Sequence, residues 1–300
     1  MPVNDELGKR MKEYYEQVPK TRLVRRTPVA IRIDGKAFHS FTKGFDKPFD
    51  EVLIRSMQKT MKYLCENIQG CVLGYHQSDE ITLILIDYKK LTSSAWFDYE
   101  VQKMCSIAAS MATMAFNKFF RKEIQAWDEE NGLSSITYFN ENKDESLLKL
   151  HNTYWDAYHR GAMFDARCFN IPKEEVTNLI YWRQLDATRN SIQMVGQANF
   201  SHKELQNKSC NKIQDMLMTE KSINWNDFPI YQKRGSCCIK SEVSVIFAKE
   251  ENGEVITGST ERPHWFIDNE IPIFKGDDRE YIDKFIRVDD NCPCKPIIIN

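Results

Sequence analysis

The chain of 300 residues has little excess of either charge and no uninterrupted apolar run near the ~18 residues that cross a bilayer. Its 41 basic and 43 acidic side chains exclude a polycation of the histone type, so any contact with nucleic acid must come from a local patch. Residues 1–17 are charged throughout and lack the apolar core of a secretory signal. These absences predict a soluble, cytoplasmic protein with no membrane partner.

Disulfides and a cysteine-bound metal are also not indicated. The nine cysteines are an odd number and mostly dispersed, unlike a disulfide framework. Two close pairs, Cys237-Cys238 and Cys292-Pro293-Cys294, lack the paired C-x2-C spacing of a zinc site, and no histidine lies at ligand spacing nearby. Ordinary buried cysteines are therefore expected.

The apolar pattern predicts a definite order of elements. Strand-like runs cover 28–33, 72–76, 81–86 and 164–171, and helical periodicity covers 52–68 and 97–120. Strand, helix, strand, strand, helix, strand is the order of a ferredoxin-like βαββαβ fold, of α/β (α+β) class, with an antiparallel sheet and helices on one face. Asp50 is expected to cap the first of these helices.

Two further regions follow from composition. The polar stretch 122–152 predicts a surface insertion, and the chain after Pro172 is mostly helical to about Met218 and then mixed, with 297–300 as a possible edge strand. We therefore expect a catalytic domain over 1–171 and a helical and mixed region over 172–300.

Three acids occupy the ends of neighbouring strands. Asp34 closes the first strand, and Asp79 and Glu80 lie at the turn of the next hairpin. The first strand of a ferredoxin-like sheet lies beside this hairpin, so the carboxylates are expected at one edge. Carboxylates held that close repel each other, which favours Mg²⁺ between them, and Gly35 would let a carbonyl or phosphate approach the ion. Strand-end aspartates also commonly cap turns, so both interpretations stay open here.

The loop after the first strand favours nucleotide binding. Residues 35–50 contain aromatic side chains, His39 and three lysines, a composition suited to a base and a triphosphate. Lys103, near the start of the second long helix, could reach the same edge. Each lysine alone is typical of a solvated surface charge, and it is their grouping after an acidic strand end that indicates a nucleotide.

Several motifs strengthen this interpretation. They are Arg32–Phe41, Lys47–Asp50, Gly74–Glu80, Phe164–Arg167, Trp182–Asp186, Ile223–Asn226 and Pro229–Gly235. Together they resemble the tRNA-histidine guanylyltransferase family and its 3′-to-5′ polymerase relatives. The similarity runs from about residue 5 to about residue 240, and the acidic motifs are its most specific part. No motif in residues 241–300 resembles this family.

The resemblance implies a domain like the palm of polymerases, running the reaction in the opposite direction. ATP would adenylylate the 5′-monophosphate of a tRNA, the 3′-hydroxyl of GTP would then attack that phosphate and expel AMP, and pyrophosphate would afterwards be removed. Asp34, Asp79 and the Gly35 carbonyl would hold two Mg²⁺ ions, with Glu80 as a supporting catalytic residue. The implied nucleotide contacts are Asp34, Gly35, Lys36, Ala37, Phe38, His39, Lys47, Asp50, Ser78, Asp79 and Lys103.

One motif departs from the family pattern. Members that guanylylate tRNA-histidine carry His-Ile-Asn-Asn where this chain has Thr188-Arg-Asn-Ser191, so only Asn190 is retained. The departure makes the chain more similar to the guanylyltransferase-like proteins, which rebuild truncated tRNA 5′ ends by template pairing. A homo-oligomer, a tetramer by family analogy, is also implied.

The tRNA partner requires a basic surface, which the C-terminal half can supply. The candidate tRNA contacts are Arg183, Arg189, Asn190, Lys208, Lys233 and Arg234. Scattered solubilising charge explains any one of them equally well. Trp182 and Trp225 are expected in the core rather than as stacking platforms.

Two other functions use similar elements. A nucleotide cyclase places two acids on a similar sheet, although the motifs at 47–50 and 77–80 resemble the tRNA family instead. A non-catalytic RNA-binding protein predicts a missing metal acid, whereas Asp34, Asp79 and Glu80 are all present.

Overall fold

The computed structural model of the chain describes residues 6–133, 144–251 and 254–288. Its strands are β1 Val29–Gly35, β2 Cys71–Gln77, β3 Glu80–Leu85, β4 Phe164–Asn170, β5 Ser236–Glu251 and β6 Glu254–Asp268. Its α-helices are α1 Glu6–Met11, α2 Phe38–Phe41, α3 Glu51–Asn67, α4 Val101–Glu130, α5 Glu145–Arg160, α6 Lys173–Asn199, α7 His202–Leu205, α8 Cys210–Lys221, α9 Ile230–Arg234 and α10 Glu280–Ile286. Short π- or 3₁₀-helical turns lie at Lys12–Glu16, Trp96–Tyr99, Trp225–Asp227 and Gly276–Arg279.

The described strands form one antiparallel sheet in the order β4-β1-β3-β2-β5-β6. The first four strands have α3 between β1 and β2, and α4 and α5 between β3 and β4, which is the predicted βαββαβ arrangement. The ferredoxin-like fold of α+β class is therefore confirmed. β1 and β3 are nearly continuous apolar runs because both of their faces are buried.

Helices cover both faces of this sheet. Ile31 and Leu83 pack on one face in a core shared with α3 and α4. Ala30 and Ile84 pack on the opposite face in a second core shared with α6 and α10. The expectation of helices on one face is therefore incomplete, because the C-terminal helices form a second layer. That second layer brings α6 over the face on which the side chains of Asp34 and Glu80 begin.

The predicted surface insertion at 122–152 is wrong where the structure describes it. α4 continues to Glu130 and α5 begins at Glu145, so most of this stretch is helical. Its polar residues include the buried Asp128. The Asp128 carboxylate lies 2.6 Å from Nδ1 of His151 and accepts a hydrogen bond from Trp155 Nε1 at 3.0 Å. The polar composition reflects paired groups between two helices. Residues 134–143 lie outside the described ranges.

The C-terminal strands extend the same sheet. β5 pairs with β2 over Ser236–Ile239 and continues with β6 as a two-stranded ribbon. The division of the chain at residue 171 stays a prediction. Cys237 and Cys238 are buried thiols of β5, whereas Cys292, Cys294 and the predicted edge strand at 297–300 lie outside the described residues. None of the helices in the described ranges has the length and apolarity to cross a membrane.

Candidate active site

The end of β1 and the turn of the β2–β3 hairpin meet at one edge of the sheet. Asp34 is the register partner of Glu80, and the Gly35 N–H donates to the backbone oxygen of Asp79 at 3.1 Å. These contacts place the turn residues Ser78 and Asp79 directly beside the end of β1. Asp34 and Asp79 line the same cleft.

The electrostatics of this edge favour a cation. Burial raises the pKa of the Asp79 carboxyl, and the charge of nearby Asp34 raises it further. In the described ranges, no group of three or more His, Cys, Asp and Glu side chains is arranged so that it could hold a metal ion by itself. A metal would therefore rest on Asp34, Asp79 and a backbone carbonyl such as that of Gly35, with water and substrate completing its shell. These hard oxygen donors in this small number fit Mg²⁺.

Glu80 faces a different environment from its neighbour Asp79. Arg183 Nε donates to the Glu80 carboxylate at 2.7 Å, and Arg32 Nε lies 3.7 Å from its other oxygen. Burial raises the pKa of Glu80, whereas the charges of Arg183 and Arg32 lower it. The carboxylate is thus paired with two guanidinium groups, and its pair with Arg183 anchors the hairpin to α6. Its supporting catalytic role stays a prediction.

The hairpin turn has an unusual backbone. Ser78 has a φ of +52°, as the two-residue turns of hairpins require at their first position, although its side chain makes this conformation unfavourable. His76 lies beneath the turn, with its Nε2 at 2.9 Å from the Ser78 carbonyl oxygen. Burial lowers the pKa of His76 to about 4, so the ring is neutral at pH 7. A buried neutral imidazole therefore supports the turn that presents Asp79.

Asp50 organises the loop that enters the cleft. Its carboxylate accepts hydrogen bonds from the N–H groups of Leu53 at 2.8 Å and Asp46 at 3.0 Å, and from the Tyr154 hydroxyl at 2.6 Å. The first of these bonds caps α3, as the sequence predicted. The bond to Asp46 closes the loop around Lys47. Burial raises the pKa of Asp50, and its hydrogen bonds oppose that effect.

The cleft has a volume of about 610 Å³, within the ~300–1,000 Å³ typical of small-molecule sites. Its lining residues are Asp34, Gly35, Ala37, Phe38, His39, Thr42, Phe45, Asp46, Lys47, Pro48, Asp50, Leu53, Ser78, Asp79, Met194 and Gln197. Most of the predicted nucleotide contacts are therefore brought together. Met194 and Gln197 come from α6, and nothing in the sequence indicated them.

Two predicted nucleotide contacts do not line this cleft. Lys36 is exposed, and its N–H donates to the Met163 carbonyl at 2.9 Å. Lys103 does not reach the predicted edge, because the start of α4 lies beside Cys168 while Thr113 lies beside Phe164 at the acidic edge. Ten residues of helix separate Lys103 from Thr113, or about 15 Å. The Lys103 ammonium lies over the Phe97 ring instead.

The structure also corrects two predicted tRNA contacts. Arg183 is 7% exposed and is committed to Glu80 and Asp186. Lys233 is equally buried, donates to the Asn226 carbonyl and has a pKa lowered chiefly by burial. Neither can offer a free charge to RNA. Arg189, Lys208, Asn190 and Arg234 stay predictions: the first two are exposed and the last two half-buried.

The two tryptophans differ from each other. Trp225 is buried as predicted, and its Nε1 donates to Ser191. Trp182 is 51% exposed, so the expectation of a core position is wrong. Its ring lies 4.5 Å from the guanidinium carbon of Arg183 and 5.9 Å from that of Arg32.

Arg167 was also missed as a site residue. Its Nη2 lies 3.1 Å from Asp165 and 4.0 Å from Asp34, and Arg167 is the register partner of Arg32. We call Arg32, Arg167, Trp182 and Arg183 the arginine–indole face. All four belong to motifs that the sequence singled out, 32–41, 164–167 and 182–186, but no pattern indicated that the three motifs meet.

Fold and site together define a class of protein. An antiparallel ferredoxin-like sheet whose edge carries paired carboxylates beside a cleft of this size is typical of palm-type nucleotidyltransferases. Comparison with known proteins narrows this class.

A profile described as tRNAHis guanylyltransferase matches residues 8–172, more than half of the chain. A bacterial tRNA(His) guanylyltransferase-like protein solved in complex with ATP is 40% identical, with a TM-score of 0.71, over 94% of this chain and 100% of that one. A structure of a bacterial protein of the same description, in complex with GTP, is 38% identical, with a TM-score of 0.67, over 94% of this chain and 99% of that one. The tRNA(His) guanylyltransferase of Saccharomyces cerevisiae is 26% identical over 222 residues, 69% of this chain and 80% of the relative.

The chain belongs to the tRNAHis guanylyltransferase family and is thus an enzyme of the nucleotidyltransferase class. The predicted family is confirmed.

Proposed function

We propose that this chain is a Mg²⁺-dependent enzyme that adds nucleotides to the 5′ end of tRNA, in the 3′-to-5′ direction, with ATP and GTP as substrates. The observation that carries the proposal is the meeting of Asp34 and Asp79 at one sheet edge, where they open onto a cleft of about 610 Å³. The bacterial relatives solved with ATP and GTP support nucleoside triphosphates as its occupants.

Asp34, Asp79 and the Gly35 carbonyl would hold the metal. When bound, Mg²⁺ would neutralise charge on the reacting phosphates and favour deprotonation of the attacking hydroxyl. The chain's own contribution is positioning. The backbone bond from Gly35 to Asp79 fixes the distance between strand end and turn, and the Arg183–Glu80 ion pair ties the base of the same turn to α6.

Lys47 is the residue best suited to the triphosphate. It is the one lysine or arginine among the cleft-lining residues of the described ranges, where four aspartates also lie. Binding a triphosphate among aspartates requires cations, which the ammonium of Lys47 and Mg²⁺ would supply together. The bond from Asp46 to Asp50 restricts the loop and so reduces the entropy lost when Lys47 binds.

The proposed reaction has two transfers. An oxygen of the RNA 5′-monophosphate attacks the α-phosphorus of ATP, a P–O bond forms, and pyrophosphate leaves. The 3′-hydroxyl of GTP then attacks the activated RNA phosphorus, loses its proton, and AMP leaves. Both steps are phosphoryl-type transfers that depend on alignment and charge neutralisation more than on covalent help from the protein.

A labelled incorporation assay tests the proposal. The full chain is incubated with 5′-truncated tRNA, ATP, labelled GTP and Mg²⁺, beside an Asp79→Asn variant. Label in RNA with the wild type alone supports the proposal. A cyclic nucleotide product would instead indicate a palm-type cyclase, and tight RNA binding without turnover by the wild type would indicate a binding protein.

Repair of truncated tRNA ends is the role we favour over guanylylation of tRNA-histidine. The segment Thr188–Ser191 retains only Asn190 of the family's His-Ile-Asn-Asn. Incorporation that follows the opposing base, tested with each base at that position, would support repair; addition of G regardless of that base would overturn it. The tetramer, testable by light scattering, and the cytoplasmic location stay predictions.

A further inference from the structure

We propose that the arginine–indole face receives the 5′-terminal nucleotide of the RNA, with the indole of Trp182 stacking on its base and Arg167 and Arg32 binding its phosphates. This inference rests on the proposed function, because it assigns the RNA side of the same site. The cleft beside Asp79 would hold the nucleoside triphosphate on the other side of Asp34.

The position of the face relative to the acids is the first argument. Arg32 and Arg167 are register partners on β1 and β4, two positions along from the Asp34 and Asp165 pair. Side chains two residues apart on a strand point to the same face, so Arg32 lies on the same side of the sheet as Asp34. Arg167 reaches to 4.0 Å from the Asp34 carboxylate, yet neither arginine lines the triphosphate cleft.

A transfer reaction needs two substrates that meet at the acids. One substrate occupies the cleft, so the other must approach Asp34 from a side that the cleft does not use. The arginine–indole face is such a side, and it begins at the carboxylate itself. The RNA phosphate that reacts would then lie between the two substrates.

The chemistry of the face fits a nucleotide. Trp182 is half exposed although it is one of the most apolar side chains, and two guanidinium groups hold its ring. Ion pairs with Glu80 hold both of these arginines in turn, so the indole is positioned before a ligand arrives. An exposed aromatic ring beside cations is the usual platform for an unpaired or terminal base.

Arg32 and Arg167 still have bonding capacity. Arg32 is half-buried, and its Nε lies 3.7 Å from Glu80 without forming a hydrogen bond, so a phosphate would be bound by the terminal nitrogens of its guanidinium. Arg167 is half exposed and pairs with Asp165 through Nη2. A planar guanidinium can bind a phosphate through two parallel hydrogen bonds, which matches this spare capacity.

A double-mutant cycle between protein and RNA tests the stacking contact. The RNA is a hairpin of tRNA acceptor-stem sequence with a 5′-monophosphate, made with either a base or an abasic site at its 5′-terminal nucleotide. The proteins are the wild type, Trp182→Ala, Trp182→Phe and Met218→Ala, which changes a similarly exposed apolar residue (59%) on α8. Dissociation constants are measured by fluorescence anisotropy at one fixed salt concentration.

We expect Trp182→Ala to weaken binding of the complete RNA by roughly 5- to 100-fold, as loss of a base–aromatic stack does. The abasic RNA should bind the wild type correspondingly weakly, but should lose little further affinity with Trp182→Ala. Trp182→Phe should restore most of the affinity, and Met218→Ala should change it less than twofold. ATP affinity should be the same in all four proteins.

Arg167→Gln tests the phosphate contact separately. Binding of both RNAs should weaken by the same factor, and the slope of log Kd against log salt should fall by about 0.7 to 0.9, the value for one phosphate contact. An unchanged slope would overturn the assignment of Arg167.

The outcomes separate this inference from the function on which it rests. One outcome is that the wild type incorporates nucleotide while Trp182→Ala weakens binding of the abasic RNA as much as binding of the complete RNA. In that case Trp182 does not contact the terminal base, so the subsite is wrong and the proposed function stands. If Trp182→Ala changes the oligomeric state by light scattering and leaves RNA affinity intact, the face is an interface between copies of the chain, which also overturns the inference. A wild type that neither binds nor extends RNA overturns both.

Discussion

The two flanks of Asp34 are built in different ways. The cleft flank comes mainly from residues 34–50 and the hairpin turn. Lys47 is its one lysine or arginine among the described lining residues, although Arg167 on the other flank reaches to 4.0 Å from Asp34. The arginine–indole face comes from β1, β4 and α6, and its arginines are already paired with Glu80 or Asp165. Two neighbouring residues show the difference most clearly: the half-buried Asp79 has no guanidinium partner among the described residues, whereas Glu80 has two.

On the two proposals above, this difference is how one sheet edge serves two substrates. Uncompensated carboxylates leave a charge that a metal ion can satisfy. Compensated carboxylates instead hold arginines and an indole in place for a ligand that approaches them. Substitutions on each flank should therefore have separable effects, and four of them follow from the largest expected effect to the smallest.

Asp79→Asn should abolish the function of the cleft flank and leave the arginine–indole face intact. We expect nucleotide transfer to fall on the order of 10³-fold, because a ligand of the metal and its charge are lost. The free energy of unfolding should not fall, because burial already disfavours the charged form of Asp79. Single-turnover incorporation and thermal unfolding measure the two effects. The exposed Asp215→Asn on α8 is the matched control, and near-normal transfer by Asp79→Asn would contradict the assignment.

Arg183→Met should disrupt the arginine–indole face and lower the free energy of unfolding. Its removal leaves the buried Glu80 carboxylate without its shortest ion pair, which we expect to cost about 3 kcal/mol in the free energy of unfolding. Urea denaturation measures this change. The control is Arg189→Met: because Arg189 is exposed, its pair with Asp186 should contribute less than about 1 kcal/mol. Equal losses in the two variants would show that burial of the Glu80 pair is not what matters.

Lys47→Ala, on the cleft flank, should weaken substrate binding more than it slows the chemical step. We expect the KM for ATP to rise about 10-fold, the loss of roughly one charge-assisted contact, with a smaller change in kcat. Lys43→Ala is the matched control in the same loop, because Lys43 is exposed and does not line the cleft. A similar rise in both variants would indicate a general effect of charge rather than a contact.

His76 links stability to pH beneath the turn. Its folded pKa of about 4 lies below the ordinary value of 6.5, so the unfolded state binds the proton first and stability falls as pH decreases from about 6.5 towards 4. The expected loss between pH 6.5 and 5.5 is about 1 kcal/mol. His76→Gln should remove this part of the pH dependence. The difference between the two denaturation curves isolates it from Asp50, Asp79 and Glu80, whose raised pKa values act in the opposite direction.

Much of the fold was predictable because its signals are local. The strand periods, the order of elements and the Asp50 cap each depend on residues within a few positions of one another. The meeting of Asp34 with the hairpin turn followed from topology, because a ferredoxin-like sheet pairs its first strand with its third.

The errors have equally physical causes. Lys103 was expected at the acidic edge because it lies near the start of α4, but the sequence does not show which end of α4 faces the acids. The stretch 122–152 was judged by its polarity, and composition does not show that Asp128 of α4 pairs with His151 and Trp155 of α5 or that Glu123 pairs with Lys59 of α3. Trp182 was assigned to the core by residue type alone.

The sequence by itself determined the class of fold, the family and the positions of the two cleft acids, Asp34 and Asp79, because these depend on local periodicity and on contiguous motifs. Only the tertiary structure decided that Glu80 pairs with arginines. Arg183 lies 103 residues away along the chain, and the packing of α6 on the second face of the sheet brings it into contact. The same packing leaves Trp182 half exposed beside Arg32, since only the folded chain decides which side of a helix the core covers.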